Sequence, residues 1–549
     1  MEFTNFKTSL KKNNQKCANY EDTIDRIQKI LNNLLKGTDY RIFHKIYAHK
    51  KKKFYTVESE IYLNKTLVIK QYGKGLSLEQ AQASSYAEII ERMGLLQNFF
   101  SHNPLKSTLT YHFSQEVEIP KEDLLLNRLF FTQVKKNNPY LINWARVKWI
   151  KVYDIFNDKF RFLHYRFLHN YGTASGNTYE EAFIQSLCEV FERYCIGKIL
   201  LNQVKCPTIE KDFFNEKNKQ LLRLLEKDGS RFKIKDLSFN KGFPTIGLLR
   251  SSNDSLLHLQ VGSATSMDTA LERCLTDLFQ VSELENKEFI YKKRIEKLYE
   301  TFPNLDDLMP KKALYVLNYP KNAFISDDLL KILLDDAGYF NPWDYEDPDC
   351  GNEVRNLLNL LKDNEFHIYM LDYSWLSFPT LHTIVPELHF GYNEILYESC
   401  DLIDLKKKIL CNFDKLTKED LKILNNPQTI INIIQKPLLN MFLSIDLPSL
   451  RLISTWFFLG KLAKAFNLIS IAEKYLSQAP IDQLLLCLDK TPEAILKFLT
   501  NLLPPCGKKK CNECKKKDCS YLATKPIQQR IIKSYPKYFS LHKKYLSKY

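Results

Sequence analysis

The chain lacks any uninterrupted apolar run approaching the ~20 residues that a membrane-spanning helix needs. Its first residues, MEFTNFKTSLKKNNQKC, also lack the charged-then-apolar pattern of a secretory signal. These absences predict a cytoplasmic protein with no membrane partner, in which the 13 cysteines stay mostly reduced. There is no G-x-x-x-x-G-K-[ST] loop, so a nucleotide site would have to be built without a P-loop. Net positive charge is small in the body as well. The net charge is +15, yet residues 506–549 hold 13 Lys and Arg against 2 Asp and Glu, leaving about +4 for everything before them. The basicity therefore describes the tail and says little about the body.

What is present is the composition of a soluble globular chain, 44% hydrophobic and 26% charged, and at 549 residues too long for one ordinary core. Residues 20–36 have helical apolar spacing with acidic residues in the first turn. Strand patterns follow at 41–63 and 65–75, then a helix over about 77–99. NWARVKWIKVYDIF and KFRFLHYRFLHNYG alternate like strands before a second helix over about 179–200. RFKIKDLSF, TIGLLRSS and LHLQVGSATS lead into a third over about 268–285. The order argues for an α+β body over residues 1–400. Residues 401–505 turn to helical periodicity with a repeat-like character, and 506–549 form a basic, cysteine-rich tail.

SYAEIIERMG at residues 85–94 and SLCEVFERYC at 186–195 say nearly the same thing. Gly75, Ala81, Ser85, Glu88, Glu91 and Arg92 recur 101 positions later as Gly176, Ala182, Ser186, Glu189, Glu192 and Arg193. A degenerate third copy lies at an offset of 189, with Ala270, Cys274, Asp277 and Gln280 in the matching places. At about 100° per residue, Ser84, Glu88 and Glu91 share one narrow arc of a helix. Gln185, Glu189 and Glu192 share the same arc in the second copy, and Arg273, Asp277 and Gln280 in the third. Apolar residues lie opposite in each: Tyr86, Ile89, Ile90 and Met93; Leu187, Val190, Phe191 and Tyr194; Leu271, Leu275, Leu278 and Phe279.

The plainer reading is a solvated face carrying ordinary i,i+3 and i,i+4 pairs. The sharper one is an internal duplication whose polar stripes converge on one site. Five carboxylates, Glu88, Glu91, Glu189, Glu192 and Asp277, facing one cavity would repel each other and need cations. Oxygen donors without nearby His or Cys suit Mg²⁺ rather than zinc. With Arg92, Arg193 and Arg273 beside them, the group suits a nucleoside triphosphate and its metals. Lys74, between glycines in YGKGLS, is placed to approach a phosphate, although GKG alone is more often a turn.

The stretches GKGLSLEQAQASSYAEIIERM, ASGNTYEEAFIQSLCEVFERY and TALERCLTDLFQ resemble the three ATP-site segments of the YcaO family. The resemblance covers roughly residues 10–400 and extends loosely into the helical remainder, as in members with a C-terminal helical-repeat region. It implies an α+β, YcaO-type ATP-binding fold with internal pseudo-repeats, followed by an all-α region. It implies ATP and Mg²⁺ as cofactors, with Glu88, Glu91, Glu189, Glu192 and Asp277 on the metal. Arg193 and Arg273 would contact phosphates, and Ser84, Asn177 and Gln185 would lie alongside the nucleotide. KCANYEDTI resembles a further family segment, which gives Lys16 and Thr23 nucleotide-binding roles.

The activity implied is ATP-dependent phosphorylation of a peptide or protein backbone amide, giving an azoline or, with an external sulfide, a thioamide. The family also includes an accessory factor for β-methylthiolation of a small-subunit ribosomal protein, working beside a radical-SAM enzyme. The implied partners are thus a peptide or ribosomal-protein substrate and a radical-SAM methylthiotransferase or sulfur-delivery protein; a homodimer is left open. A non-catalytic, ATP-bound scaffold that recruits such a partner is the alternative. Three departures matter. Asp277 stands where close relatives have Glu, Thr23 replaces a serine, and LHKKYLSKY is not the proline-rich ending of azoline-forming members. With no leader-peptide-binding domain expected ahead of the body, azoline synthesis is disfavoured.

Cys506, Cys511, Cys514 and Cys519, spaced C-x4-C-x2-C-x4-C among lysines, fit a tetrahedral Zn²⁺ site, an iron–sulfur centre or unliganded thiols. The lysines around them suit docking on RNA or a ribosomal surface, and equally a plain solvated terminus. His112, His164 and His169 are expected to be structural, and the acidic YEDPDCGNE at 345–353 to be a surface loop.

Overall fold

A computed structural model of the chain describes residues 6–12, 16–49, 53–63, 66–95, 113–114, 119–137, 149–164, 167, 171–227, 229–251, 257–279, 325 and 327–389. The expected helical region 401–505, the tail with Cys506, Cys511, Cys514 and Cys519, and His112, His169 and Gln280 lie outside the described residues.

Helix α1 (Tyr20–Leu35) opens with Glu21 and Asp22, favourable at the positive end of its dipole, and buries Ile27, Leu31 and Leu35 at i,i+4 spacing. It packs beside α2 (Leu78–Gly94), over an antiparallel sheet of β1 (Tyr40–His49), β2 (Phe54–Leu63) and β3 (Thr66–Gly75). The middle of the chain contributes β4 (Phe113–Ser114), α3 (Lys121–Asn137), β5 (Trp149–Asp154), β6 (Lys159–His164) and β7 (Thr173–Ser175). Then come α4 (Tyr179–Asn202), β8 (Thr208–Ile209), α5 (Glu216–Glu226), β9 (Arg231–Asp236), β10 (Thr245–Ser251) and β11 (Leu257–Ser263). Helices α6 (Met267–Asp277), α7 (Asp327–Leu334) and α8 (Cys350–Asp363) precede β12 (Tyr369–Asp372) and β13 (Thr380–Ile384). The second sheet runs β11-β10-β9-β8, and the third β4-β5-β12-β13-β7 with β6 on β5. The expected α+β body is therefore built on antiparallel sheets.

A strand at the end of each sheet feeds a helix: β3 into α2, β7 into α4 and β11 into α6. The helix starts are fixed alike. Ser77, Thr178 and Ser266 are in extended conformation, and each side chain accepts from the backbone N–H three residues on, the ordinary N-cap bond. Small residues let each helix lie against its own strand. A Cβ on Gly73 would sit 2.0 Å from the Ala81 carbonyl oxygen, and one on Gly262 would sit 2.4 Å from that of Ala270. The predicted apolar stripes are buried, from Tyr86, Ile89, Ile90 and Met93 to Leu271 and Leu275, with Leu278 and Phe279 buried just past the end of α6 at Asp277, short of the predicted 285. The first helix stops at Gly94, earlier than the spacing predicts, with the Leu95 N–H donating to the Glu91 carbonyl at 3.0 Å.

The acidic stretch 345–353 is a surface loop only in its first half, where Glu346 and Pro348 are exposed; its second half is buried at the start of α8. Asp349 caps α8, with its carboxylate accepting from the N–H of Gly351 at 2.9 Å and of Ser9 at 2.7 Å. Glu353 is 2% exposed and takes the Lys11 ammonium and the Thr265 hydroxyl, both at 2.7 Å. The N-terminal segment supplies the partners that make burying these carboxylates affordable. His164 is structural as expected: it is buried, its N–H donates to Asn127 Oδ1 at 2.8 Å, and its ring packs edge-on against Trp149.

One ion pair makes stability depend on pH. His367 Nδ1 lies 2.6 Å from Glu387 Oε1, and the hydrogen bond to that buried carboxylate raises the imidazole pKa above its usual value. The contribution is complete below about pH 6.5, the unfolded value, and is lost as pH rises through the higher folded one. Thermal melts from pH 6 to 9 should show a smaller decline for His367→Gln than for the parent. An unchanged decline would reject the assignment.

Candidate functional site

The three strand–helix units surround one cleft of about 1150 Å³. Unit one brings Lys74, Ser84, Glu88 and Glu91 to its wall; unit two brings Asn177, Gln185 and Glu192; unit three brings Arg273 and Asp277. Lys16 and Thr23, from the N-terminal segment and α1, complete the predicted residues that line it. Arg92, Glu189 and Arg193 do not line the cleft as the side chains stand.

Ion pairs explain their placement. Arg92 reaches back one turn to Glu88 at 2.6 Å and lies 3.5 Å from Glu91. Arg193 repeats this with Glu189 at 3.5 Å and Glu192 at 3.7 Å. Glu189 also accepts the Gly172 N–H at 2.8 Å. In unit three Lys74 pairs with Asp277, and Arg273 donates to the Ser263 carbonyl and to Gln185 Oε1. The i,i+4 pairs of the plain surface reading are thus real, yet they sit around a shared cleft.

The electrostatics tie the units together. Burial, the neighbouring Glu88 and then Glu189 on the adjacent helix push the Glu91 carboxyl well above the usual carboxylate range, against the pull of Arg92. Burial and Glu192 likewise raise Glu189, with Arg193 opposing. Burial, with the nearby Arg273 and Arg193 and against the pull of Glu192, lowers Lys74 to about 8. Charges on α2, β3, α4 and α6 therefore feel one another. Raised carboxyls in such a group are the mark of a site short of positive charge.

This donor set fits a hard cation. The carboxylates offer oxygen only, and no His or Cys among the described residues lines the cleft. As they stand, no three His, Cys, Asp or Glu side chains among the described residues are gathered closely enough to hold a metal ion. Arg92, Arg193 and Lys74 each engage these carboxylates through one oxygen.

The N-terminal segment meets α4 at the wall of the cleft. Thr23 Oγ1 donates to Asn177 Oδ1 at 3.0 Å, and Lys16 Nζ is 3.2 Å from Glu181. Asn177 Nδ2 also donates to Glu181 at 3.3 Å. Sequence reasoning missed Glu181, the residue that joins Lys16 to Asn177, and the lining residues Tyr20, Gln80, Glu272 and Phe378. Glu181 stands three residues after the N-cap Thr178, a capping-box position, which was the available signal. No helix among the described residues is long and apolar enough to cross a membrane.

The chain is similar to several known proteins. An uncharacterised protein of Haemophilus influenzae is 26% identical over 360 residues, 60% of this chain and 58% of its own length. The ribosomal protein S12 methylthiotransferase accessory factor YcaO of Escherichia coli is 27% identical over 221 residues, 39% of this chain and 35% of its own. The chain thus spans less than two thirds of either relative. Among solved structures, a heterocyclase in complex with substrate and cofactor aligns with a TM-score of 0.48 at 17% identity, over 70% of this chain and 54% of that one. YcaO from Methanopyrus kandleri bound with AMPPCP and Mg²⁺ aligns with a TM-score of 0.42 at 13% identity, over 69% and 94%. The family model described as YcaO cyclodehydratase, ATP- and Mg²⁺-binding, matches residues 72–389, a span holding α2, α4 and α6, and the chain belongs to the YcaO family.

Proposed function

We propose that this chain is a Mg·ATP-dependent enzyme that activates a backbone amide of a peptide or protein, or serves in that capacity as an accessory factor in ribosomal-protein methylthiolation. The observation that carries the reading is the convergence of three carboxylate-bearing helices on one cleft that also holds Lys74 and Arg273. The relative named as a methylthiotransferase accessory factor supports the second form. In the reaction a nucleophile adds to the amide carbon, the carbonyl oxygen takes the γ-phosphoryl group of the ATP substrate, and phosphate leaves with that oxygen.

Glu88, Glu91, Glu189, Glu192 and Asp277 would hold Mg²⁺. The metal supplies charge neutralisation and polarisation of phosphate oxygens. Lys74 and Arg273 face the cleft and would carry charge on the transferring group. Arg92 and Arg193 hold the carboxylates in register. Lys16, Thr23, Asn177 and Glu181 form one hydrogen-bonded wall that would orient the nucleotide. Ser84 and Gln185 lie on the same lining.

Phosphate release tests the reading. The protein with Mg·ATP should release phosphate slowly alone and faster with a small-subunit ribosomal protein or a peptide substrate. Tight nucleotide binding with no phosphate in either case would favour the scaffold instead.

A further inference from the structure

Cys17 and Cys350 lie 333 positions apart in sequence and bring their sulfurs to 3.1 Å. Both are free thiols. Cys17 is half-buried; Cys350 is 1% exposed, at the first turn of α8, and lines a smaller cavity of about 420 Å³ that shares Lys16, Glu181, Gln185 and Arg273 with the cleft. The backbone holds the pair in place. The Ser9 carbonyl accepts the Cys350 N–H at 3.0 Å and the Cys17 thiol at 3.5 Å, and the Cys17 N–H donates to Glu181 Oε2 at 3.2 Å.

We propose that Cys17 and Cys350 form a reversible disulfide that braces the N-terminal wall of the cleft against α8. The other described thiols, Cys188, Cys195, Cys206 and Cys274, are all buried. A disulfide is about 2.05 Å long, so closure needs roughly 1 Å of movement. The oxidant is a small disulfide such as oxidised glutathione. The Cys17 thiolate attacks one of its sulfurs and releases one glutathione thiolate. Cys350 then attacks the Cys17 sulfur of the mixed disulfide and releases the second. Two protein thiols give up two electrons and two protons, and one small disulfide becomes two thiols. The hydrogen bond from the Cys350 thiol holds the Cys17 thiol below its usual pKa, which favours Cys17 as the attacking group.

The consequence falls on the cleft. Lys16 precedes Cys17 and pairs with Glu181, while Tyr20 and Thr23 follow on α1 and line the cleft. Fixing residue 17 to α8 pre-orders this wall, so the oxidised chain binds Mg·ATP at least about threefold more tightly than the reduced chain. This coupling rests on the nucleotide reading of the cleft; the disulfide itself does not.

The full chain should be equilibrated at several ratios of reduced to oxidised glutathione, with free thiols then blocked, and mapped as peptides without reduction. A 17–350 cross-linked peptide that accumulates with oxidant and disappears with dithiothreitol is expected. Calorimetry should show the tighter Mg·ATP binding only in the linked form, and Cys17→Ser and Cys350→Ser should each make affinity insensitive to the redox buffer. Absence of the cross-linked peptide, or linked protein of unchanged affinity, overturns the switch. If neither redox form binds Mg·ATP, the reading of the cleft fails. The cross-link and a rise in melting temperature on oxidation, read without nucleotide, then decide the disulfide alone.

Discussion

Glu189→Gln and Glu192→Gln should each fold as the parent does and lose Mg·ATP binding by about 100-fold or more, the upper range for a buried contact to a charged group. Two features of Glu189 separate folding from binding. Its carboxyl is held above the ordinary range by burial and by Glu192, so the neutral amide resembles a form the folded chain already tolerates. The bond it accepts from the Gly172 N–H, at 2.8 Å, can be kept by a glutamine oxygen. What glutamine cannot supply is negative charge for a divalent cation. Melting temperature should therefore stay within about 2–4 °C of the parent, the shift that ~1 kcal/mol produces in a domain of this class, while calorimetric titration with Mg·ATP goes flat. Glu216→Gln, which breaks an exposed pair with Arg223, serves as the control and should bind as the parent does. Retained nucleotide affinity in the Glu189 and Glu192 variants would sink the convergent-carboxylate site.

The parts of this site legible in the sequence were those that repeat on a helical period. Glu88, Glu91, Glu189 and Glu192 could be placed on polar stripes because the apolar residues between them specify which face is buried. That inference needed only local geometry. The i,i+4 pairing of Arg92 and Arg193 with these carboxylates was equally local, but whether those arginines turn inward or back along the helix depends on what else occupies the cleft. Glu181 escaped because its meaning comes from far away: Cys17, whose N–H it accepts, lies 164 positions upstream. The second half of the acidic stretch at 345–353 was misread for the same reason. Asp349 accepts the Ser9 N–H and Glu353 pairs with Lys11, some 340 positions earlier, and composition alone describes an acidic run as solvated. The N-caps were legible in principle. Ser77, Thr178 and Ser266 keep the same offsets of 101 and 189 as the stripes, so the repeat unit is strand, small residues, cap and helix rather than helix alone.

That enlarged unit makes glycine its most sensitive position. Gly73→Ala should destabilise the chain by about 3 kcal/mol or more, at the top of the range for overpacking. A methyl group there would lie 2.0 Å from the Ala81 carbonyl oxygen, 2.2 Å from the Ser85 nitrogen and 2.8 Å from its Cα. All three are backbone atoms of α2, so no side-chain rotation relieves them; the helix itself must move off its strand. Moving α2 also moves Glu88 and Glu91, so Mg·ATP affinity should fall together with stability. Gly262→Ala is the same experiment in the third unit, where the added carbon meets the Ala270 carbonyl oxygen at 2.4 Å and Cys274 Sγ at 2.9 Å. Gly247→Ala provides the contrast. Its nearest neighbours are the side chains of Leu237 and Leu259, at 3.1 and 3.2 Å, which can shift by a few tenths of an ångström. It should cost about 1 kcal/mol, at the low end of the same range, and Leu237→Val should partly rescue it. Denaturant unfolding of the three variants decides the matter. Equal losses at 73 and 247 would show that the strand–helix contact is soft, and the shared architecture of the three units would then need another explanation.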